Sequence, residues 1–196
     1  MAFHNFIGDR EGWKILRDEP LFTSPHIAVH RVQVTTPTRT QPFHWSIAHR
    51  KAAVVVAPVT TNGEFLLVRQ ERVPIRETIW EFPAGQIDDI EEEDRIRSTG
   101  LRELREESGY ELAPGGELLS LGYFFPSAGF TDEHSHLLLA RPVVPSPRGT
   151  SYDAGEGILG VRAVPPAEFR EMIAKGEIRD ANTLSAFARM AAMGMV

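Results

Sequence analysis

The chain has 196 residues, of which 42% are hydrophobic and 24% charged, a balance that predicts a folded protein with a sizeable core. The absence of cysteine excludes disulfide bonds and thiolate metal sites, and a net charge of −6 without a basic cluster argues against a nucleic-acid-binding surface. The apolar runs are short and the N-terminus lacks a signal-peptide pattern, so we expect a cytoplasmic protein that does not span a membrane.

We expect residues 1–48 to form a separate, strand-rich lobe. Residues 27–34 alternate and contain β-branched side chains, which predicts a strand. A turn at residues 35–38 then allows residues 41–47 to pair back on that strand. Because two or three strands do not form a stable unit in water, the lobe is expected to pack on the main domain or on a second copy of the chain.

The remaining residues, 49–196, are predicted to form the main domain, in which most strands precede the helices. The continuous apolar run at residues 51–58 is typical of a strand buried on both faces. A turn at residues 61–64 leads into a return strand at residues 65–70. Further strands are expected at residues 78–82, 118–125 (after a turn at residues 114–116), 136–140 and 159–164, with a Pro-, Ser- and Gly-rich loop at residues 142–160.

Two helices are predicted near the C-terminus. Proline is tolerated in a first helical turn, so Pro165 and Pro166 are expected to open a helix that runs to Lys175. The second helix is expected from Asp180 to about Met193, with one apolar face formed by Leu184, Phe187, Ala188 and Ala191. Strands first, one helix in the middle and helices at the end predict a mixed α/β/α sandwich.

The most informative stretch lies at residues 80–110, WEFPAGQIDDIEEEDRIRSTGLRELREESGY. A short apolar strand breaks at residues 83–85, an acidic loop follows, and a helix then runs to Gly109. At about 100° per residue, Glu103, Glu106 and Glu107 fall on one face of that helix. Like charges at i,i+4 weaken a helix, so this cluster of carboxylates predicts a hard divalent cation with oxygen ligands.

Gly85 and residues 102–110 resemble the signature of the Nudix hydrolases, which reads G, five residues, E, seven residues, then R-E-apolar-x-E-E-x-G-apolar. The second half matches at every specified position. Gly85 and Arg102 are separated by 102 − 85 = 17 positions where the signature has 14. The signature glutamate is therefore Glu91, counted forward from Gly85, or Asp94, counted back from Arg102, and we favour Glu91 with the insertion after it.

The resemblance implies a Nudix-type sandwich over roughly residues 52–193 and a hydrolase that depends on Mg²⁺, with Mn²⁺ as the alternative. It implies direct metal ligation by Glu103 and Glu107, direct or water-mediated ligation by Glu106, and a further ligand in the carbonyl oxygen of Ala84. It also implies that Arg102 braces the acid of the loop, Glu91 or Asp94.

Other segments resemble ADP-ribose pyrophosphatases within this family. The loop at residues 127–133 implies that Glu133 orients or deprotonates the attacking water, with Asp132 and Glu156 as alternatives. Residues 67–72 resemble the family's L-V-x-Q-x-R strand end, which implies that Arg69 and Arg72 face a phosphate or ribose. Salt bridges to Glu77 or Glu81 are the alternative role for these arginines, and Glu81 is itself expected near the diphosphate or ribose.

The expected substrate is ADP-ribose or a related nucleoside diphosphate sugar, cut into a nucleoside monophosphate and a sugar phosphate. An adenine base needs a flat apolar surface, which Phe43, Trp45 or Phe22 of the N-terminal lobe is expected to supply. The resemblance implies that this lobe lies against the partner subunit of a homodimer, with an extra sheet in a monomer as the alternative. The second functional hypothesis is a sensor that binds a nucleotide without turning it over.

Overall fold

The computed structural model describes residues 10–88, 91–151 and 155–196. The parts of the predicted N-terminal lobe, acidic loop and later loop that fall at residues 1–9, 89–90 and 152–154 lie outside the described residues. The chain divides into two units, one comprising residues up to Ala52 together with Phe125–His134, the other comprising Ala53–Phe124 and Ser135–Val196. Residues 125–134 group with the N-terminal strands, although the sequence predicts them as part of the main domain.

The first unit, here called the N-terminal unit, contains an antiparallel sheet in the order β1-β2-β3. Its strands are β1 (Lys14–Thr23), β2 (Ala28–Thr36) and β3 (Arg39–His49). Strands β2 and β3 confirm the two predicted strands. Strand β1 was missed because its sequence, KILRDEPLFT, has no clean alternation and almost all of its residues are exposed.

The second unit, here called the main unit, is built on a seven-stranded mixed sheet. Five strands follow the order β10-β5-β4-β9-β8, with β6 paired to β5 and β7 paired to β4. Strands β4 and β9 are parallel and the other pairs are antiparallel. The bounds are β4 (Ala53–Thr60), β5 (Phe65–Arg72), β6 (Glu77–Glu81), β7 (Ala84–Gln86), β8 (Tyr110–Phe124), β9 (Ser135–Pro145) and β10 (Ile158–Val164).

Helices cover both faces of this sheet. Helix α1 (Glu93–Ser108) lies between β7 and β8, and α2 (Pro166–Ala174) and α3 (Ala181–Ala192) follow β10. Alternate side chains of β4 point to opposite faces: Val54 and Val56 approach Gly100 of α1, whereas Val55 and Ala57 share a core with side chains of α2 and α3. The predicted α/β/α sandwich is therefore confirmed. No helix in the described part of the chain is long and apolar enough to cross a bilayer.

Three local predictions were wrong. Strand β8 runs through the predicted turn at residues 114–116, where its register with β9 shifts. Strand β9 extends to Pro145, into the predicted loop. The predicted apolar face of α3 is right for Leu184 and Phe187, which pack against the core, but wrong for Ala188 and Ala191, which are exposed; the fully buried residues are Thr183, Ala186 and Met190. Met190, which the prediction omitted, is fully buried and contributes more apolar area than either exposed alanine could.

Candidate functional site

The site is organised around residues 82–85, here called the turn, which lead from the end of β6 into the first two residues of β7. Its backbone is held at three successive residues. The N–H of Phe82 donates to Thr183 Oγ1 at 2.8 Å, the N–H of Val56 donates to the carbonyl of Pro83 at 2.9 Å, and the N–H of Ala84 donates to Glu107 Oε2 at 3.0 Å. The turn is therefore tied directly to the acidic helix.

Gly85 lets the turn approach that helix closely. A Cβ atom added at Gly85 would lie 1.9 Å from Oε1 of Glu103, a distance that no side chain tolerates. Helix α1 ends at Gly109, whose left-handed backbone (φ 72°) lets its N–H reach the carbonyl of Arg105, as predicted for a glycine C-cap. The glycines of the signature thus set where the helix ends and how near the turn comes.

The carboxylates of Glu103 and Glu107 lie beside this turn. Glu103 and Glu107 are 5% and 3% exposed, and Glu106 is half-buried. Burial, opposed by the hydrogen bond from Ala84 and aided by the charges of Glu103 and Glu156, raises the pKa of Glu107 to about 8. Burial likewise raises the pKa of Glu103, although the Arg102 guanidinium opposes this shift. Two buried acids in this state bind either protons or a cation.

Arg102 braces the helix acids in place of the loop acid that was predicted. Its guanidinium donates to Glu106 Oε2 at 2.7 Å and to Glu103 Oε1 at 2.6 Å. Glu91 instead lies 3.0 Å from Nε2 of His136, and Asp94 is exposed in the first turn of α1. Arg105 also donates to Glu106, at 2.6 Å.

These residues fit a hard divalent cation. The carboxylate oxygens of Glu103 and Glu107 are buried beside each other, their pKa values are raised, and the donor set consists of oxygen atoms. Mg²⁺ prefers such ligands and commonly uses one or two carboxylates together with substrate phosphates. Binding a cation would compensate both the burial and the repulsion that raise these pKa values.

The predicted substrate-binding residues Arg72 and Glu81 form a forked ion pair. Nε of Arg72 lies 2.9 Å from Oε1 and 3.1 Å from Oε2 of Glu81, and its Nη2 contacts Oε2 as well. Burial raises the pKa of Glu81, which is 1% exposed, against the lowering effect of Arg72. Arg69 is exposed, with its guanidinium 5.9 Å from the centre of the Trp80 ring. The alternative role of a salt bridge therefore applies to Arg72.

Glu156, one of the alternative bases, belongs to the surroundings of the acid cluster. Its charge raises the pKa of both Glu103 and Glu107. Its backbone carbonyl accepts a hydrogen bond of 2.8 Å from Nε2 of the buried Gln70. In the sequence, only the flanking glycines at positions 155 and 157 indicated a role for Glu156. Its contact with Gln70 could not be predicted, because it depends on the pairing of β10 with β5.

Glu133, the predicted base, lies in the N-terminal unit and pairs with Arg50, whose Nη1 is 3.3 Å from Oε1. Its neighbour Asp132 accepts from Nδ1 of His49 at 2.5 Å, and this hydrogen bond raises the pKa of His49. Nε1 of Trp45 donates to the carbonyl of Gly129 at 3.1 Å. Residues 129–133 are thus held against β3.

An open cavity of about 410 Å³ lies beside this loop, within the N-terminal unit. Its lining residues are Arg31, His44, Trp45, Ser46, Gly129 and Phe130. Trp45 and Phe130 are 48% and 57% exposed there. Phe43, the other predicted stacking residue, packs edge-on against Trp45 with ring centres 6.2 Å apart. This cavity therefore combines the aromatic rings of Trp45 and Phe130 with the guanidinium of Arg31.

With this geometry established, comparison with known proteins identifies the family. The NUDIX domain matches residues 48–187, well over half of the chain. The chain belongs to the Nudix family. It is 31% identical to the ADP-ribose pyrophosphatase of Bacillus subtilis (strain 168) over 170 residues, covering 87% of this chain and 88% of the relative. The predicted family and the enzyme class, a Nudix hydrolase of the pyrophosphatase type, are confirmed.

Two further Nudix comparisons extend this result. The methanol dehydrogenase activator of Bacillus methanolicus is 32% identical over 143 residues, covering 73% of this chain and 74% of the relative. A crystal structure of an ADP compounds hydrolase superposes with a TM-score of 0.76 and 19% identity, covering 96% of this chain and all (100%) of that one. At that identity the superposition shows the fold alone, and the fold agrees with the predicted sandwich.

Proposed function

We propose that this Nudix protein hydrolyses the diphosphate linkage of ADP-ribose or a related nucleoside diphosphate sugar. The products would be a nucleoside monophosphate and a sugar phosphate. One observation carries the proposal: two buried glutamates, Glu103 and Glu107, with raised pKa values, lie against the backbone turn at residues 82–85. The relative named ADP-ribose pyrophosphatase supports the choice of substrate.

The acid cluster is the proposed site of the divalent cation. Glu103, Glu106 and Glu107, with the carbonyl oxygen of Ala84, would hold Mg²⁺ or Mn²⁺. Such an ion, when bound, neutralises charge on the diphosphate oxygens. Arg102 keeps the carboxylates of Glu103 and Glu106 in place by donating to both. The N–H of Ala84 does the same for Glu107.

Other side chains hold the remainder of the substrate in this proposal. Glu81 orients the guanidinium of Arg72. The remaining N–H groups of Arg72, together with the exposed Arg69, would donate to phosphate or ribose oxygens. Trp45, beside Phe43 on the open cavity of the N-terminal unit, would stack on the base. Catalysis of this kind depends mainly on positioning and charge stabilisation.

The water that attacks the phosphate needs a carboxylate to orient it or accept its proton. We assign this role to Glu156, because its charge already acts on Glu103 and Glu107 and its carbonyl is held by Gln70. Glu133, the residue predicted from the loop sequence, remains the second candidate. Its carboxylate is paired with Arg50 within the N-terminal unit.

The predicted homodimer also belongs to this proposal. The N-terminal unit exposes a set of large apolar side chains, between 51% and 59% exposed: Trp13, Ile15, Leu16, Leu21 and Phe22. Apolar surface of this extent in so small a sheet favours burial against another protein surface. Sedimentation equilibrium should give twice the mass of the chain, and a monomer at micromolar concentration would contradict the assignment.

The decisive experiment incubates the protein with ADP-ribose and Mg²⁺ and follows the products by chromatography. We expect AMP and ribose 5-phosphate in equal amounts, and no products after chelation. Other nucleoside diphosphate sugars, such as GDP-mannose, should be assayed in parallel, because the name of the Bacillus methanolicus relative describes an effect on another enzyme and no substrate. Binding of every substrate without turnover would favour the sensor hypothesis.

A further inference from the structure

The N-terminus of α3 makes a contact that helix capping alone does not require. Asp180 is the N-cap, and its Oδ2 accepts the backbone N–H of Thr183 at 2.8 Å, the usual arrangement for a capping carboxylate. The same Oδ2 also accepts the hydroxyl of Thr183 at 2.9 Å. A hydroxyl that donates in one direction presents its lone pairs in others. Asp180 thereby fixes how Thr183 can accept.

The oxygen of the Thr183 hydroxyl also accepts a hydrogen bond from the turn beside the acid cluster. Thr183 Oγ1 accepts the N–H of Phe82 at 2.8 Å, across 101 positions of the sequence. Thr183 is fully buried (0% exposed) and Phe82 is 1% exposed, so water cannot replace this hydrogen bond. The Phe82 ring is also stacked on Phe169, with centres 5.4 Å apart. Both backbone and side chain of Phe82 are therefore fixed.

Phe82 is the first residue of the turn that contacts the carboxylates. The carbonyl of Pro83 is held by Val56, and the N–H of Ala84 is the backbone donor to Glu107 Oε2. Movement of Phe82 would shift Ala84 through a single intervening residue. It would also shift Gly85, which lies against Glu103 with no room for a Cβ atom. The Thr183 contact is thus connected through the turn to both buried carboxylates.

We propose that Thr183, oriented by Asp180, is a positioning residue for the cation site of this protein. Its hydroxyl fixes the turn at residues 82–85, and the turn fixes the carboxylate of Glu107. This inference rests on the proposed function, since it assumes that the acid cluster binds a divalent cation. It gives a role to the C-terminal segment at residues 180–183, which supplies no ligand itself.

The test compares Thr183→Val with Thr183→Ser, measured as Mn²⁺ binding without substrate by electron paramagnetic resonance of the free ion. Valine keeps the shape of threonine but leaves Phe82 without its acceptor, whereas serine keeps the hydroxyl. Loss of an outer partner of a metal ligand typically weakens metal binding about 10- to 100-fold. We expect a loss of about tenfold in Thr183→Val and near-wild-type binding in Thr183→Ser. Ser146→Ala, which removes another buried hydroxyl, one that donates to Glu111, is the matched control.

Wild-type Mn²⁺ affinity in a folded Thr183→Val protein would overturn the inference, even if its melting temperature falls, because the contact would then be structural only. Failure of the wild type to bind Mn²⁺ would overturn it too. If Thr183→Val does not fold, Asp180→Ala replaces it, since it leaves the hydroxyl in place but unoriented and should give an intermediate loss. A wild type that binds Mn²⁺ but hydrolyses no nucleoside diphosphate sugar would refute the proposed function and leave this test intact.

Discussion

The two units of the molecule differ in the energetically unfavourable groups that they contain: one buries carboxylates and the other exposes aromatic rings. The main unit buries charge: Glu81, Glu103 and Glu107 are each at most 5% exposed. The N-terminal unit exposes apolar rings: Trp13 and Phe22 are each 57% exposed and Trp45 is 48% exposed. A buried carboxylate is unfavourable unless a partner compensates it, and an exposed aromatic surface favours a partner of another kind. The contrast suggests that one unit performs the chemistry and the other recognises the substrate or a second subunit.

The strongest test of the assignment of the chemistry to the main unit is the Glu107→Gln variant. The amide still accepts the N–H of Ala84, so the turn should keep its shape while the negative charge is lost. Loss of a direct ligand should exceed the roughly 10- to 100-fold effect typical of outer partners. We therefore expect kcat for ADP-ribose hydrolysis to fall by about a hundredfold or more, with circular dichroism unchanged.

Glu117→Gln is the matched control for this variant. Glu117 lies on β8, is paired with Arg141 and is mostly exposed, so its charge is lost outside the acid cluster. Wild-type kinetics are expected. A Glu107→Gln protein that retains most of its activity would show that the buried acids do not carry the chemistry.

A second pair of variants decides which unit supplies the proton acceptor. Removing a general base typically costs about 10²- to 10⁴-fold in rate. We expect a loss of about a hundredfold in kcat for Glu156→Gln, with the ascending limb of the pH–rate profile altered, and a smaller loss for Glu133→Gln. The reverse order of effects would move the base to the N-terminal unit and would support the assignment made from the loop sequence.

The acid cluster could be predicted from sequence because its elements are local. Glu103, Glu106 and Glu107 lie within five consecutive residues of one helix, so the helical period alone places them together. The turn at residues 83–85 and the glycine that ends α1 are equally local signals. The positions of most strands and the sandwich class followed from alternation, turns and the family resemblance, whereas the order of the strands in the sheet was not predicted.

The remaining contacts depend on distant parts of the chain. The partner of Arg102 was mispredicted because the insertion after Gly85 obscures the position of Glu91, which contacts His136. Thr183 lies 101 positions from Phe82, and no periodicity marks a hydroxyl that will meet a particular backbone N–H. The grouping of residues 125–134 with the N-terminal strands likewise depends on tertiary pairing, such as the hydrogen bond from Ala48 to Phe130.

The Trp45→Ala variant tests whether the N-terminal unit recognises the base of the substrate. Stacking of a base on an aromatic ring is typically worth about 1–3 kcal/mol. We expect KM for ADP-ribose to rise by about tenfold with little change in kcat, because Trp45 lines the cavity of the N-terminal unit, whereas the residues assigned to the chemistry belong to the main unit. Trp13→Ala, an equal loss of exposed indole outside that cavity, should leave KM unchanged. Equal KM values in the two variants would contradict the stacking role.

The smallest expected effect is a pH dependence of stability in the main unit. Glu107 has a pKa of about 8 in the folded protein and about 4.5 as its ordinary value. Between these values the folded state binds more protons than the unfolded state, so the free energy of unfolding decreases as pH rises and levels off above pH 8. The maximum slope for one group is about 1.4 kcal/mol per pH unit, which corresponds to about 3–6 °C in melting temperature per pH unit for a chain of this size.

Measured in EDTA from pH 5 to pH 8, the melting temperature of the wild type should therefore fall more steeply than that of Glu107→Gln, which has no proton to lose at this position. Taking the difference between the two proteins removes the contribution of His49, whose raised pKa acts in the same direction. Mg²⁺ competes with the proton for the same carboxylate, so it should raise the melting temperature of the wild type most at pH 8. Parallel curves for the two proteins would mean that Glu107 is already ionised in the metal-free protein. Burial of this carboxylate would then carry no measurable cost in the free energy of unfolding, contrary to the contrast drawn between the two units.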